Sequence, residues 1–162
     1  MSVGNPLIAG FMYSKIQEAE NKNIKVEYQI EIKKEASVIP EYELVEMAGI
    51  LIDNAIEALN KMEDGTNDFN DEKKIYIYMQ ESKEHMEMIV ANTSNYYKDD
   101  LTERFFEVGY SSKGKGRGIG LVKLKRMVHE KNGEIVVSNE LHHGRNYLTF
   151  TITIPKEKRQ KS

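Results

Sequence analysis

The stretch from Pro40 to about Met62 constrains this chain most: Leu44, Ala48, Leu51, Ile52, Ala55, Ile56 and Leu59 recur three and four residues apart. That spacing predicts a long helix with a broad apolar face. Such a face must be covered by another layer of structure, and the rest of the chain supplies strands to do it. Ile24, Val26, Tyr28, Ile30 and Ile32 alternate with Lys25, Glu27, Gln29 and Glu31, the period-two pattern of a half-buried strand. Lys74 to Gln80 and His85 to Asn92 alternate in the same way across a polar turn and read as a hairpin. Glu134 to Glu140 and Tyr147 to Ile154 form a second pair around His142-His143-Gly144.

Two further helices are expected. Leu7 to Lys22 carries Leu7, Ile8, Phe11, Met12 and Ile16 at helical spacing behind Pro6, a residue suited to a first turn. Ile119 to Asn132 carries Leu121, Leu124 and Val128 on one face, with Gly133 where a C-terminal cap is expected. Glu63 to Asp71 reads as a surface loop. Asn92 to Gly118 is a long polar connection in which only Phe105-Phe106 is strongly apolar, and connections of that length inside a domain are usually functional or mobile. Met1 to Gly4 are given no structural weight. The order α-β-α-β-β-loop-α-β-β predicts an α+β fold over residues 1–162, a two-layer sandwich whose mixed or antiparallel sheet is covered on one face by helices.

Composition narrows the function. The 162 residues are 40% hydrophobic and 30% charged, the balance of a single soluble globular domain. The net charge of -3, with both signs interspersed, gives no pull toward nucleic acid. The chain has no cysteine, which removes disulfides, thiolate chemistry and thiolate zinc sites. No stretch approaches the roughly 20 apolar residues that span a bilayer, so no direct membrane insertion is expected.

Two local patterns carry chemistry. In Lys113-Gly114-Lys115-Gly116-Arg117-Gly118-Ile119-Gly120-Leu121, four glycines at alternate positions run into a helix. Glycines permit close backbone approach, and a helix N-terminus presents unpaired N–H groups and a positive dipole end, which together make an anion cradle. The run lacks a Gly-Lys-Ser/Thr ending and does not follow a strand, so it is neither a Walker loop nor a Rossmann turn. Lys113, Lys115 and Arg117 bring three cations to the turn, suited either to a triphosphate or to a solvated loop. The second pattern is Asp53-Asn54 with Glu57, polar residues in the middle of an apolar helix. Asn and Asp compete for backbone hydrogen bonds there and need a reason to be present. Asn54 and Glu57 share a face. A carboxamide oxygen on a rigid helix can coordinate Mg2+, a hard cation that takes oxygen ligands beside substrate phosphates; a solvated face is the plain alternative.

Taken in order, Asp53-Asn54-Ala55-Ile56-Glu57-Ala58, Asn92, Phe105-Phe106 and Gly116-Arg117-Gly118-Ile119-Gly120-Leu121 resemble the boxes of the Bergerat-fold (GHKL) ATP-binding domain. That superfamily joins gyrase, a heat-shock chaperone family, histidine kinases and mismatch-repair ATPases. The opening Asn5-Pro6-Leu7 helix, the Asp53–Ala58 box and Gly109-Tyr110-Ser111-Ser112-Lys113 with the glycines that follow resemble sensor histidine kinases of the accessory-gene-regulator, peptide quorum-sensing type. The resemblance implies Mg2+-ATP as cofactor, with Asn54 on Mg2+, an ATP lid over about Asn95 to Lys115, and Gly116, Gly118 and Gly120 at the phosphates. It implies an adenine-binding group at Asn92, whose amide oxygen can accept from the base, although Ala91-Asn92-Thr93-Ser94-Asn95 lacks the glycines of the superfamily's Asp-x-Gly-x-Gly box. Two positions depart from relatives in the superfamily: Ile50 stands where some carry a water-activating glutamate, and Glu57 where many kinases carry a lysine. Poor intrinsic ATP hydrolysis follows from the first.

The implied activity is transfer of the γ-phosphoryl group to a histidine on an upstream dimerisation hairpin, which in turn serves a response regulator, all on the cytoplasmic side of a membrane-bound sensor. His85, His129, His142 and His143 lack the acceptor's surroundings, so no residue of the chain is itself assigned as catalytic. An anti-sigma-type serine kinase and a nucleotide-regulated interaction module are the alternatives.

Overall fold

A computed structural model describes residues 2–32, 39–61, 72–98, 100, 105–106 and 117–156; of 2, 3 and 117–119 it describes the backbone. The elements run β1 (Ser2–Val3), α1 (Pro6–Glu20), β2 (Lys25–Ile32), α2 (Glu41–Asn60), β3 (Lys74–Glu81), β4 (His85–Thr93), α3 (Arg117–Glu130), β5 (Glu134–His142) and β6 (Arg145–Pro155). The strands form one sheet in the order β1-β2-β3-β4-β6-β5. β1, β2 and β3 are parallel, while β3-β4, β4-β6 and β6-β5 are antiparallel. The sheet is therefore mixed.

Register sends one set of side chains to one face. Ile77, Val90, Phe150 and Val137 stand opposite one another across β3, β4, β6 and β5, as do Met79, Met88, Ile152 and Ile135. All eight are buried and join the inward faces of α1, α2 and α3 in one apolar cluster. The opposite face carries Tyr76, Tyr78, Glu87, Thr151 and Val136, which are half-buried or exposed.

Local chemistry sets the element ends. Asn5 caps α1 through its Oδ1, which accepts from the N–H of Leu7 at 2.9 Å and of Ile8 at 3.3 Å, with Pro6 opening the first turn. The β5-β6 turn places His143 at φ 52 and Gly144 at φ 77, the two left-handed residues of a two-residue hairpin loop. The strands on either side of that turn are longer than their sequence patterns indicate, reaching His142 and Arg145.

Two expectations change. Ser2–Val3, given no weight from sequence, adds an edge strand whose partners are Glu31 and Ile32. The left-handed residue after α3 is Asn132, at φ 58, not Gly133. The Asn132 N–H bonds to His129 O at 3.0 Å and the Gly133 N–H to Val128 O at 2.9 Å, the paired bonds of a Schellman end. Gly133 is required for another reason: a Cβ there would lie 2.7 Å from the backbone oxygen of Thr153. The 63–71 loop lies outside the described residues.

Candidate functional site

α2 lies between α1 and α3, and its polar residues sit at the edge of its apolar face. Ala55 and Ile56 are buried, whereas Asn54 and Glu57 are half-buried. Asp53 turns toward α1, where its carboxylate meets the Lys15 ammonium at 2.6 Å. Burial lowers the Lys15 pKa, but the hydrogen bonds and charges of Asp53 and, to a smaller degree, Glu18 together outweigh it and hold the amine above its ordinary value.

α3 runs antiparallel to α2. A Cβ on Gly120 would meet Ile50 Cγ2 at 3.6 Å, Lys123 pairs with Glu46, and Lys131, just past the end of α3, pairs with Glu43. From this register the N-terminus of α3 can be located along α2. Asn54 lies four residues beyond Ile50, about 6 Å along the axis at 1.5 Å per residue, and Arg117 lies three residues before Gly120, about 4.5 Å in the same direction. The N–H groups of residues 117 to 119, in the first turn of α3, have no partner within their own helix. They come level with the carboxamide of Asn54.

Gly120 has no conformational or packing reason to be glycine. Its φ is not positive, and a methyl group would make an ordinary contact with Ile50. Glycine in a helix costs about 0.5–1 kcal/mol relative to alanine.

Asn92 closes the sheet side. It is 2% exposed and stands in register with Ile75 and Leu148 on the helix-covered face. Its Nδ2 donates to the Thr93 carbonyl at 3.1 Å. A carbonyl only accepts, so this bond fixes the amide's sense and leaves Oδ1 as the acceptor on offer. Thr93 is pinned in turn: its hydroxyl accepts from the Lys74 N–H and donates to Glu72 O, both at 3.1 Å.

The other sequence candidates divide. Lys113, Lys115 and Gly116 lie outside the described residues, and the structure gives only the helical backbone for Arg117 and Gly118. Leu121 is buried in the apolar core. Phe105 and Phe106, a pair suited by sequence either to docking or to lid packing, are each 8% exposed. Both rings pack edge-on against Phe150, at 5.6 and 6.4 Å, which makes them packing residues. Sequence reasoning missed Asn139 and Asn146, whose side chains hold the segment that leaves β4. The available signal was their place in strands, where asparagine is disfavoured.

Known proteins share this fold. The chain superposes on the nucleotide-free catalytic domain of histidine kinase ThkA with a TM-score of 0.69 at 22% identity, covering 93% of this chain and 92% of that one. It also superposes on full-length ShkA in complex with AMPPNP, with a TM-score of 0.64 at 19% identity, covering 92% of this chain and 29% of that one. The fold is thus that of histidine kinase catalytic domains. In sequence it is 28% identical to a probable C4-dicarboxylate sensor kinase of Halalkalibacterium halodurans, over 96% of this chain and 28% of that protein. It is 29% identical to the sensor protein CitS of Bacillus subtilis, over 94% of this chain and 27% of CitS. Identity is also 29% with the sensor histidine kinase DcuS of Escherichia coli, over 85% of this chain and 24% of DcuS. The chain spans about a quarter of the length of these curated relatives. The profile of the GHKL domain matches residues 41–155. The chain belongs to the GHKL domain family.

Proposed function

We propose that this chain is the ATP-binding catalytic part of a sensor histidine kinase, holding Mg2+-ATP and donating its γ-phosphoryl group to a histidine on a separate dimerisation hairpin. The observation that carries the reading is the antiparallel packing of α3 on α2, with Gly120 facing Ile50 and Lys123 paired with Glu46, which brings the N-terminus of α3 level with Asn54. A triphosphate lying between α2 and the first turn of α3 would meet helix N–H groups on one side and a carboxamide on the other. The space kept open at Gly120 fits such a ligand.

In this reading the Asn54 amide oxygen would hold Mg2+, with Glu57 on the same helix face. Among the described residues no three His, Asp or Glu side chains form a metal cluster. That suits an ion carried in by phosphate oxygens and water, as Mg2+ commonly is. Asn92 Oδ1 accepts from the adenine amino group. Gly116, Gly118 and Gly120 let the backbone approach the phosphates, and Lys113, Lys115 and Arg117 supply positive charge there. Bound Mg2+ neutralises charge on the transferring group; the chain's own part is to orient the nucleotide.

The sensor-kinase names of the relatives favour transfer to histidine over a serine kinase or an interaction module. The partners proposed are the upstream hairpin and, through it, a response regulator, with the domain on the cytoplasmic side of a membrane-bound sensor. No described helix is long and apolar enough to cross a membrane. Membership in the peptide quorum-sensing branch rests on the Asp53–Ala58 box and the run from Gly109 to Leu121.

Asn54→Ala tests the site. Mg2+-ATP binding should be lost in calorimetry while the circular dichroism spectrum and melting temperature stay near those of the parent. Unchanged affinity rejects the assignment.

A further inference from the structure

We infer that Asn139 and Asn146 are positioning residues that shape the base end of the nucleotide site by holding the segment after Asn92, where Ala91-Asn92-Thr93-Ser94-Asn95 lacks the glycines of the superfamily's box. This rests on the reading that Asn92 receives the adenine amino group.

The two asparagines act on the stretch that follows Asn92. Asn139 Oδ1 accepts from the Tyr97 N–H at 3.2 Å, and its Nδ2 donates to the Tyr97 carbonyl at 2.9 Å. The side chain thus pairs with the backbone of Tyr97 as a strand residue would. Asn146 Nδ2 lies within hydrogen-bonding distance of Ser94 Oγ at 3.0 Å, Asn95 O at 3.0 Å and Asn139 Oδ1 at 3.1 Å, its two hydrogens shared among the three acceptors. The Ser94 N–H donates to Asn146 O at 3.0 Å, extending the β4-β6 ladder past its last pair. Four successive positions, Ser94 to Tyr97, are therefore held at three points by the tip of the β5-β6 hairpin.

Register places this clamp beside Asn92. Asn92, Leu148 and Asn139 stand opposite one another across β4, β6 and β5, so Asn139 faces the same way as Asn92 at two strand spacings, about 10 Å. Tyr97 is anchored from above by an edge contact to Phe105 at 5.7 Å. With Thr93 pinned to the start of β3, Asn92 is fixed from both sides. A carboxamide is the side chain this clamp requires, because Tyr97 presents a donor and an acceptor together. Glycines would let the backbone turn here freely; these amides fix one shape.

The test separates the base end from the phosphate end. The parent chain, Asn146→Ala and Asn139→Asp are titrated by NMR with ADP in the absence of Mg2+ and with Mg2+-tripolyphosphate. Asn139→Asp keeps the side chain's size and its acceptor for the Tyr97 N–H, but loses the donor. Both variants should bind ADP about five- to tenfold more weakly, the loss of one or two hydrogen bonds, while Mg2+-tripolyphosphate affinity stays within twofold of the parent. Asn54→Ala should show the reverse pattern. ADP affinity within twofold of the parent in both variants overturns the clamp's role and leaves the proposed function standing. Equal loss of both ligands also overturns it, because that marks a general loss of structure. A parent chain that binds neither ligand removes the proposed function and this inference with it.

Discussion

Replacing Gly120 with alanine should raise the stability of the domain and lower its affinity for nucleotide. The added Cβ would sit 3.6 Å from Ile50 Cγ2, an ordinary van der Waals distance, and the backbone at Gly120 is not left-handed. No strain opposes the change. The helix gains about 0.5–1 kcal/mol from losing its glycine, which for a domain of this size is a rise in Tm of about 1–4 °C. The same methyl group enters the groove between α2 and the first turn of α3, where the triphosphate is proposed to lie. Displacing one charged phosphate oxygen from a helix N–H removes about 1.5–3 kcal/mol, a tenfold or greater loss of Mg2+-ATP affinity. Differential scanning calorimetry and titration calorimetry on one preparation read both quantities. Gly10 is the control, an exposed helix position where an added Cβ would meet nothing within 4 Å: Gly10→Ala should raise Tm and leave affinity alone. A fall in Tm for Gly120→Ala would show that α3 does not pack on α2 as described. A rise in Tm with unchanged affinity would show that the groove is not where the nucleotide lies.

Gly133→Ala should do the opposite to stability, because its Cβ would lie 2.7 Å from Thr153 O and 2.9 Å from Ile154 Cγ1. Backbone cannot yield cheaply, so the cost should be about 2–3 kcal/mol in urea unfolding; a loss below about 0.5 kcal/mol would refute the contact. Lys15→Met should cost no more than about 1 kcal/mol, since the Asp53 carboxylate it meets is 54% exposed. The Lys15 pKa is raised in the folded chain, so the pair's contribution is complete below the ordinary value of 10.5 and is lost only as pH climbs through the folded value. The difference between parent and variant should therefore be the same at pH 7 and pH 9, and a difference that shrinks across that interval would contradict the assignment.

The sequence displays what periodicity can carry. α2 and the five longer strands each show an apolar and a polar side over much of their length, and that periodicity is enough to place them. β1 could not be seen, because two residues have no period and their place depends on pairing with Glu31 and Ile32. The fate of Phe105 and Phe106 was undecided for a similar reason: their partner Phe150 lies more than 40 residues away and becomes a neighbour only when β6 pairs with β4. Asn54 and the glycine run were legible as unusual residues in unusual places, whereas their nearness required the antiparallel register of α2 and α3. Asn139 and Asn146 were least legible. Their partners lie 42 and 52 residues away, and the local signal, asparagine in a strand, does not say what the side chain holds.

Ile50 connects the packing of the helices to the proposed chemistry. It stands one turn before Asn54, half-buried, and is the residue on which the start of α3 rests. A carboxylate in its place would face Gly120 across the helix interface, partly desolvated. A hydrocarbon there closes the helices together and offers nothing that could take a proton from water. On the proposed function, the contact that assembles the phosphate groove also leaves it without a base to activate water. The bound γ-phosphoryl group then waits for a nucleophile brought from outside the domain, which is the behaviour required of a part that passes phosphate to a histidine on another segment.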